Sequence, residues 1–202
     1  MLAPYASADK RAELIGSAAR LIHRRGFQRM TLADVASDAK VPLGNVFYYF
    51  KTKDALVEAV IASHEAALRA LFASWVEKYD DPRKRLRCFA RAPLDSADGV
   101  IQFGCPHGSL CQELEKLGPD APLAKAGARL LAVYLDWAEA QFRALGAGRQ
   151  SRPLAIDLVA SVQGTMLLAH TMRSRALLSR HIRRIERNLE DVLVQRKARS
   201  RS

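Results

Sequence analysis

At 202 residues with 49% hydrophobic side chains, the chain has material for one globular unit or two small ones and is expected to fold. Three cysteines, an odd number, exclude a disulfide framework, and no apolar run reaches the ~18 residues of a membrane span. A net charge of +11 points to an anionic partner, nucleic acid or a membrane surface. The excess sits at the two ends. Residues 1–56 carry nine basic against five acidic side chains, residues 57–172 thirteen of each, and residues 173–202 ten against three.

The start, MLAPYASADKRAEL, has no apolar stretch after its first charges, so no secretory leader and no membrane partner are expected, and a cytoplasmic location is the default. Ser7 is placed to cap a first helix with Leu14, Ala18, Leu21 and Ile22 on one face. Gly26 stops that helix, and Phe27 folds back as an apolar plug. Thr31 followed by Asp34 reads as a capping box opening the short helix TLADVASD, with Leu32, Val35 and Ala36 inward. Pro42 suits the first turn of a third short helix, where its missing N–H costs nothing.

That third helix holds four consecutive aromatics, Phe47 to Phe50, just ahead of Lys51 and Lys53. Consecutive helical positions point about 100° apart, so the four rings cannot all enter one core. Those left outside meet a partner, and a phosphate backbone suits phenol hydroxyls beside ammonium groups. Helices of roughly 17, 8 and 8 residues, the last two separated by a tight turn, match a helix-turn-helix unit. An ordinary three-helix bundle with a crowded aromatic corner fits the spacing as well.

The string TLADVASDAKVPLGNVFYYFKTKDAL, residues 31–56, resembles the DNA-binding signature of the TetR/AcrR family of one-component regulators. Ala36, Ala39, Val41, Gly44, Phe50, Lys53 and Leu56 all fall in register. The resemblance implies that Thr31 opens helix two with its hydroxyl and N–H towards phosphate. It places Pro42, Leu43, Gly44 and Asn45 at the exposed start of the recognition helix. Asn45 is then the base reader, since a carboxamide pairs with adenine N6 and N7, while Leu43 offers apolar contact. Tyr48, Tyr49 and Lys53 reach the backbone, and Val46 and Phe50 turn inward. Three positions depart from the family pattern: Phe47 where Tyr is usual, Lys40 in place of a turn Gly, and Pro42 in place of a capping Ser. Lys40 implies a strain of roughly 1 kcal/mol if the position keeps a positive φ.

Beyond Leu56 a larger helical domain is expected. Its first helix carries a stripe of Leu56, Val60, His64, Ala67, Leu71 and Trp75, and Asp81-Pro82 ends it. Further helices are read at about 82–96, 107–117, 122–145, 153–172 and 175–196, nine in all. The last has Leu178, Ile182, Ile185, Leu189 and Val192 at 4,3,4,3 spacing, a seam that packs helix on helix. The helix before it has Leu154, Leu158, Thr165, Leu168 and Met172, with Ala155, Ala160, Ser161 and Gly164 permitting close approach. Periodicity leaves burial within one chain and dimerisation equally open; the resemblance implies a homodimer through both helices. Arg173, Arg175, Arg180, Arg183, Arg184 and Arg187 read as a solvated face, DNA contact being the lesser alternative.

Residues 102–114, QFGCPHGSLCQEL, bring Cys105, His107 and Cys111 together at a helix start. The fragment is similar to one in a subset of the same family, where it borders the effector cavity. Its chemistry reads three ways: a buried structural turn, an electrophile or oxidant sensor at Cys105, or a metal site short of a fourth ligand. No metal or other cofactor is expected. A cysteine enzyme is the remote alternative, because Cys105 and His107 at i, i+2 rarely align for proton transfer and no third group orients them. No phosphate loop, nucleotide fingerprint or H-E-x-x-H occurs.

The expectation is therefore an all-α chain with an N-terminal helix-turn-helix DNA-binding domain (1–56) and an effector-binding and dimerisation domain (57–202), the last two helices (about 153–196) forming the interface. It would be a regulator, most simply a repressor released from a near-palindromic double-stranded operator by a small hydrophobic or aromatic effector. The expected cavity walls are Trp75, Phe89, Phe103, Cys105, His107, Trp137, Met166 and His170.

Overall fold

The computed structural model describes residues 4–199, with side chains described for residues 10–190. Among them it is all helical: α1 (Pro4–Arg25), α2 (Leu32–Asp38), α3 (Leu43–Tyr49), α4 (Lys53–Lys78), α5 (Pro82–Asp95), α6 (Ala97–Phe103), α7 (Pro106–Glu115), α8 (Pro122–Ala144), α9 (Ser151–Thr171) and α10 (Arg175–Arg199), with one 3-10 turn at Gly148–Gln150. All nine expected helices are present. The tenth, α6, was not assigned from sequence: as short as α2 and α3, it lacks the capping box of the one and the proline start of the other. Its C-terminal carbonyls are capped from α9: His170 Nδ1 donates to Ile101 O at 3.1 Å, and Arg173 Nη1 donates to Ile101 O and Gln102 O at 2.9 Å each. Arg173, with φ 49°, and Arg175, paired with Asp98, stay exposed as the solvated arginine face requires, while also holding α6.

The chain divides into two compact units. One runs to Ala67 and includes Pro106–Leu131; the other holds Leu68–Cys105 and the chain from Ala132. In the first unit α1 starts at Pro4, ahead of the Ser7 cap expected from sequence, and ends at Gly26, whose φ of 85° an L side chain resists. Leu14, Ala18, Leu21, Ile22 and Phe27 form its core with Val35, Ala36 and Val46. Arg20 bridges α1 and α2, donating to Ser17 Oγ at 2.8 Å and to Asp38 at 2.6 Å. That guanidinium holds the Asp38 carboxyl below its ordinary range.

The buried stripe of α4 differs from the expected one. Leu56, Val57, Val60 and Ile61 are buried, but further along Leu68 and Phe72 turn inward, while Ala67 and Leu71 stay exposed. A series spaced four residues apart drifts round a helix of 3.6 residues per turn, and Leu68 and Phe72 continue the row 56, 60, 64.

In the second unit α10 packs on α5 and α9, and α6 on α9. This corrects the expected dimer seam. Leu158, Thr165, Leu178, Ile182, Ile185 and Leu189 are all buried within the chain, and Val192 lies outside the residues whose side chains are described. The seam is satisfied internally because α10 turns it towards α5 and α9. What α9 leaves outside is Ile156, Leu167, Leu168 and Met172, 47–65% exposed. By length and composition the stretch Gly148–Thr171 is apolar enough to cross a membrane.

Candidate nucleic-acid interface and effector site

The head is built by two short helices with opposite solutions to their own ends. At α2, Thr31 closes a full capping box: Asp34 N donates to Thr31 Oγ1 at 3.1 Å, and Thr31 N donates to Asp34 Oδ2 at 2.9 Å. The Thr31 hydroxyl also donates to Asp34, at 2.6 Å. These bonds, the side-chain one foremost, hold the Asp34 carboxyl below its ordinary value. Both Thr31 donors expected to face phosphate are thus committed to Asp34. At α3, Pro42 stands at the N-cap itself, one place before the first helical turn, and supplies no side-chain cap. Only its carbonyl is used, by Asn45 N at 2.9 Å.

The helix α3 is anchored by one fully buried residue, Val46, and by Phe50 at its C-cap, 3% exposed, with the Arg11 guanidinium 5.1 Å over its ring. The other rings divide as expected. Tyr48 is 73% exposed and Phe47 44%, while Tyr49 is half-buried, edge-on to Tyr48 with centroids 4.9 Å apart. At the helix start Leu43 is exposed and Asn45 half-buried, and a Cβ on Gly44 would meet nothing within 4 Å. Leu43, Gly44, Asn45 and Tyr48 are therefore accessible on a short, firmly anchored helix. Lys40, in the turn between α2 and α3, takes φ 54° as the expected strained residue.

Lys53 is placed differently from expectation. Its ammonium donates to Gln28 O at 3.2 Å and lies 4.4 Å over the Phe27 ring, so it braces the turn after α1. Burial lowers its pKa, against the pull of Asp54 and Glu113. Glu113 of α7 braces the same turn: it accepts from Gln28 N at 3.2 Å, and its carboxylate would lie 2.8 Å from a Cβ on Gly26. Nothing in the sequence marked Glu113, because its partner lies 85 positions away in the chain.

The eight expected effector residues fall into separate groups. Trp75, Phe89 and Trp137 come together in the second unit with Phe72 and Tyr134, which the sequence reading missed. Phe72 stacks on Trp137 with centroids 4.4 Å apart and planes at 18°. Trp75 lies edge-on to Trp137 at 5.6 Å, and Tyr134 edge-on to Phe72 and Phe89 at 5.9 Å. The spacing was available, since Tyr134 lies three residues before Trp137, and Phe72 three before Trp75, on the same helix face. Met166 is buried, and His170 serves the end of α6 where Phe103 also lies.

His107 belongs to the first unit, beside His64, with ring centroids 4.6 Å apart. Burial first, then the charges of His64 and His23, push the His107 pKa down to about 3; His64 is lowered by burial and His23. In both, the shift favours the neutral imidazole. Cys111 donates its thiol to Gly127 O at 3.3 Å, and Cys105 is buried at 9% exposure. Among the described residues no three or more His, Cys, Asp or Glu are grouped to hold a metal ion.

Residues 14–60 match the bacterial regulatory proteins of the tetR family. The regulator BetI of Burkholderia ambifaria is 38% identical over 90 residues, 43% of this chain and 45% of that relative. The repressor DhaR of a Mycobacterium is 25% identical over 182 residues, 85% of this chain and 88% of that one. In fold, a TetR regulator from Legionella pneumophila superposes with a TM-score of 0.78 at 18% identity, over 87% of this chain and 95% of that one. Over residues 14–60 the chain is thus similar to the tetR family, it spans less than half the length of BetI, and its helical fold is that of the TetR regulator it superposes on.

Proposed function

We propose that the chain is a cytoplasmic, homodimeric transcriptional repressor. Residues 1–56 read a near-palindromic operator, one α3 per half-site, and residues 57–202 bind a small hydrophobic or aromatic effector and form the dimer. The observation that carries the reading is the outward set Leu43, Gly44, Asn45 and Tyr48 on a helix fixed by Val46. BetI and DhaR, a regulator and a repressor by name, support it.

The dimer face we assign to α9 rather than to the buried seam. Ile156, Ala160, Gly164, Leu168 and Met172 recur every four residues; a Cβ on Gly164 would meet nothing within 4 Å, so a partner helix can approach closely there. Release from DNA requires the effector to favour the unbound conformation by ~2.7 kcal/mol for each hundredfold loss of operator affinity.

The test is selection from a randomised duplex library at moderate salt, with the Tyr48→Ala, Tyr49→Ala double variant as control. Enrichment of an inverted repeat by the wild type alone supports the reading. Unselective binding erased by salt would reduce it to the effect of the +11 charge.

A further inference from the structure

Among the described residues one buried side-chain nitrogen or oxygen has no hydrogen-bond partner: Trp137 Nε1. An indole N–H is a donor only, and a donor closed off from water without an acceptor is unfavourable unless something else completes it. The rings packed on the indole offer it faces and edges. Phe72 stacks on the indole, Trp75 stands edge-on to it, and Phe89 lies tilted at 5.8 Å. Beside the stack a groove of about 320 Å³ opens with Phe72 and Trp137 in its wall, bordered by Arg69, Val76, Val133 and Asp136. The rim carries one charge of each sign, with Asp136 already paired to Arg152 at 2.7 Å, so no single-sign field there selects an ion.

We infer that the Phe72, Trp75, Phe89, Tyr134, Trp137 cluster is the effector-recognition site, and that it takes a neutral planar aromatic molecule whose carbonyl oxygen accepts the Trp137 Nε1–H. The ligand enters from the groove, parts the Phe72–Trp137 stack and replaces ring–ring contacts with contacts of the same kind. Stacking is thereby conserved, and what is gained is the missing hydrogen bond. Selectivity follows from that difference. A flat hydrocarbon restores the stacking and leaves the N–H orphaned, whereas a ketone of the same shape satisfies it. The inference rests on the reading of residues 57–202 as effector-binding and names the class of effector.

The probes are 1-indanone and indane, one bicyclic shape with and without the carbonyl. The chain has two tryptophans, so the ¹⁵N-labelled protein shows two indole N–H signals, and Trp137→Phe identifies which is which. Indanone is expected to move the Trp137 signal downfield by hydrogen bonding, and indane to cause only the ring-current change of a replaced stack, with no such downfield shift. The ketone should bind at least tenfold tighter to the wild type, and Trp137→Phe should bring the ratio to about one. If both probes move the signal alike, if neither does, or if the tenfold preference survives Trp137→Phe, the inference fails. Trp75→Phe assigns the two signals equally well, so a misfolded Trp137→Phe leaves the ligand shift readable. Release of a selected operator is read separately. Ketone-selective binding without release would sink the effector reading and keep the site; release by another compound with an indanone-to-indane ratio of one would do the reverse.

Discussion

Helix α3 in the first unit and the ring cluster in the second use aromatic side chains in opposite ways. On α3 one residue, Val46, is fully buried, and Tyr48 is left 73% exposed with its ring edge-on to Tyr49 alone among the described ring pairs. In the cluster every ring already has ring neighbours within 4.4–6.4 Å. A surface for a rigid, charged polymer can stand ready, because DNA meets it without displacing anything. A site for a small aromatic molecule inside a core is filled by the protein's own rings until the molecule replaces them. Function is thus read from exposure in one region and from an unsatisfied donor in the other.

The largest expected effect tests the exposed half of that contrast. Replacing Tyr48 and Tyr49 by alanine should lower operator affinity about a hundredfold, roughly 2.7 kcal/mol, by removing two phosphate-facing hydroxyls. Thermal stability should fall little, since Tyr48 is largely exposed. A variant that loses stability in step with affinity would show the pair to be structural, and circular dichroism alongside mobility shift separates the two.

Next comes a buried pair that neither binds DNA nor belongs to the ring cluster. An imidazole in the unfolded chain titrates near 6.5, whereas His107 in the fold is held to about 3. Between those values the unfolded chain binds a proton that the folded chain does not. Stability is therefore fully present above pH 6.5 and lost as pH falls towards 3, by at most about 1.4 kcal/mol per unit. Urea denaturation at pH 7.5 and 5.0 should differ by about 2 kcal/mol from His107 alone, with lowered His64 acting in the same direction. His107→Gln should remove that share of the pH dependence whatever it does at pH 7.5. Equal dependence in both proteins would mean that His107 titrates normally.

Asn45 and Lys53 sharpen the division within the head. Asn45→Ala should erase about 1–3 kcal/mol of discrimination at a single base pair and leave other positions unchanged. Lys53→Ala should weaken every sequence alike. Because its ammonium also braces Gln28 O and Phe27, the fold itself should lose about 1 kcal/mol. Selection profiles of the two variants compared over one library decide this. If both variants cut all sequences equally, Asn45 is no reader.

The difference between the regions also explains what was legible beforehand. The head was readable because its determinants are local: the Thr31–Asp34 box spans three residues, and the inward Val46 and Phe50 follow from helical angle alone. The body was readable as helices but not as partners. The 4,3,4,3 seam on α10 identifies a packed face without saying what packs on it, and it proved to be α5 and α9 of the same chain. The effector list mixed rings that meet with a histidine, His107, in the other unit, because a residue type carries no address. Glu113 against Gln28 and His107 against His64 join residues 85 and 40-odd positions apart, separations that no local pattern encodes.

The smallest effect concerns Lys40, where a family glycine would relieve φ 54°. A left-handed conformation costs a non-glycine residue roughly 1–2 kcal/mol, and glycine returns about half of that through the greater freedom of the unfolded chain. Lys40→Gly should therefore stabilise the protein by only about 0.5 kcal/mol. Were that the whole account, lysine would be a small defect. But it is an exposed cation in the turn that leads into α3, and a strained residue persists at a functional site when its side chain has work there. The same variant should thus lower the slope of log affinity against log salt by about 1.8, one phosphate contact in each of two half-sites. A stability gain with an unchanged slope would leave Lys40 as strain without a role. A reduced slope would place the turn, as well as the helix it introduces, on the DNA.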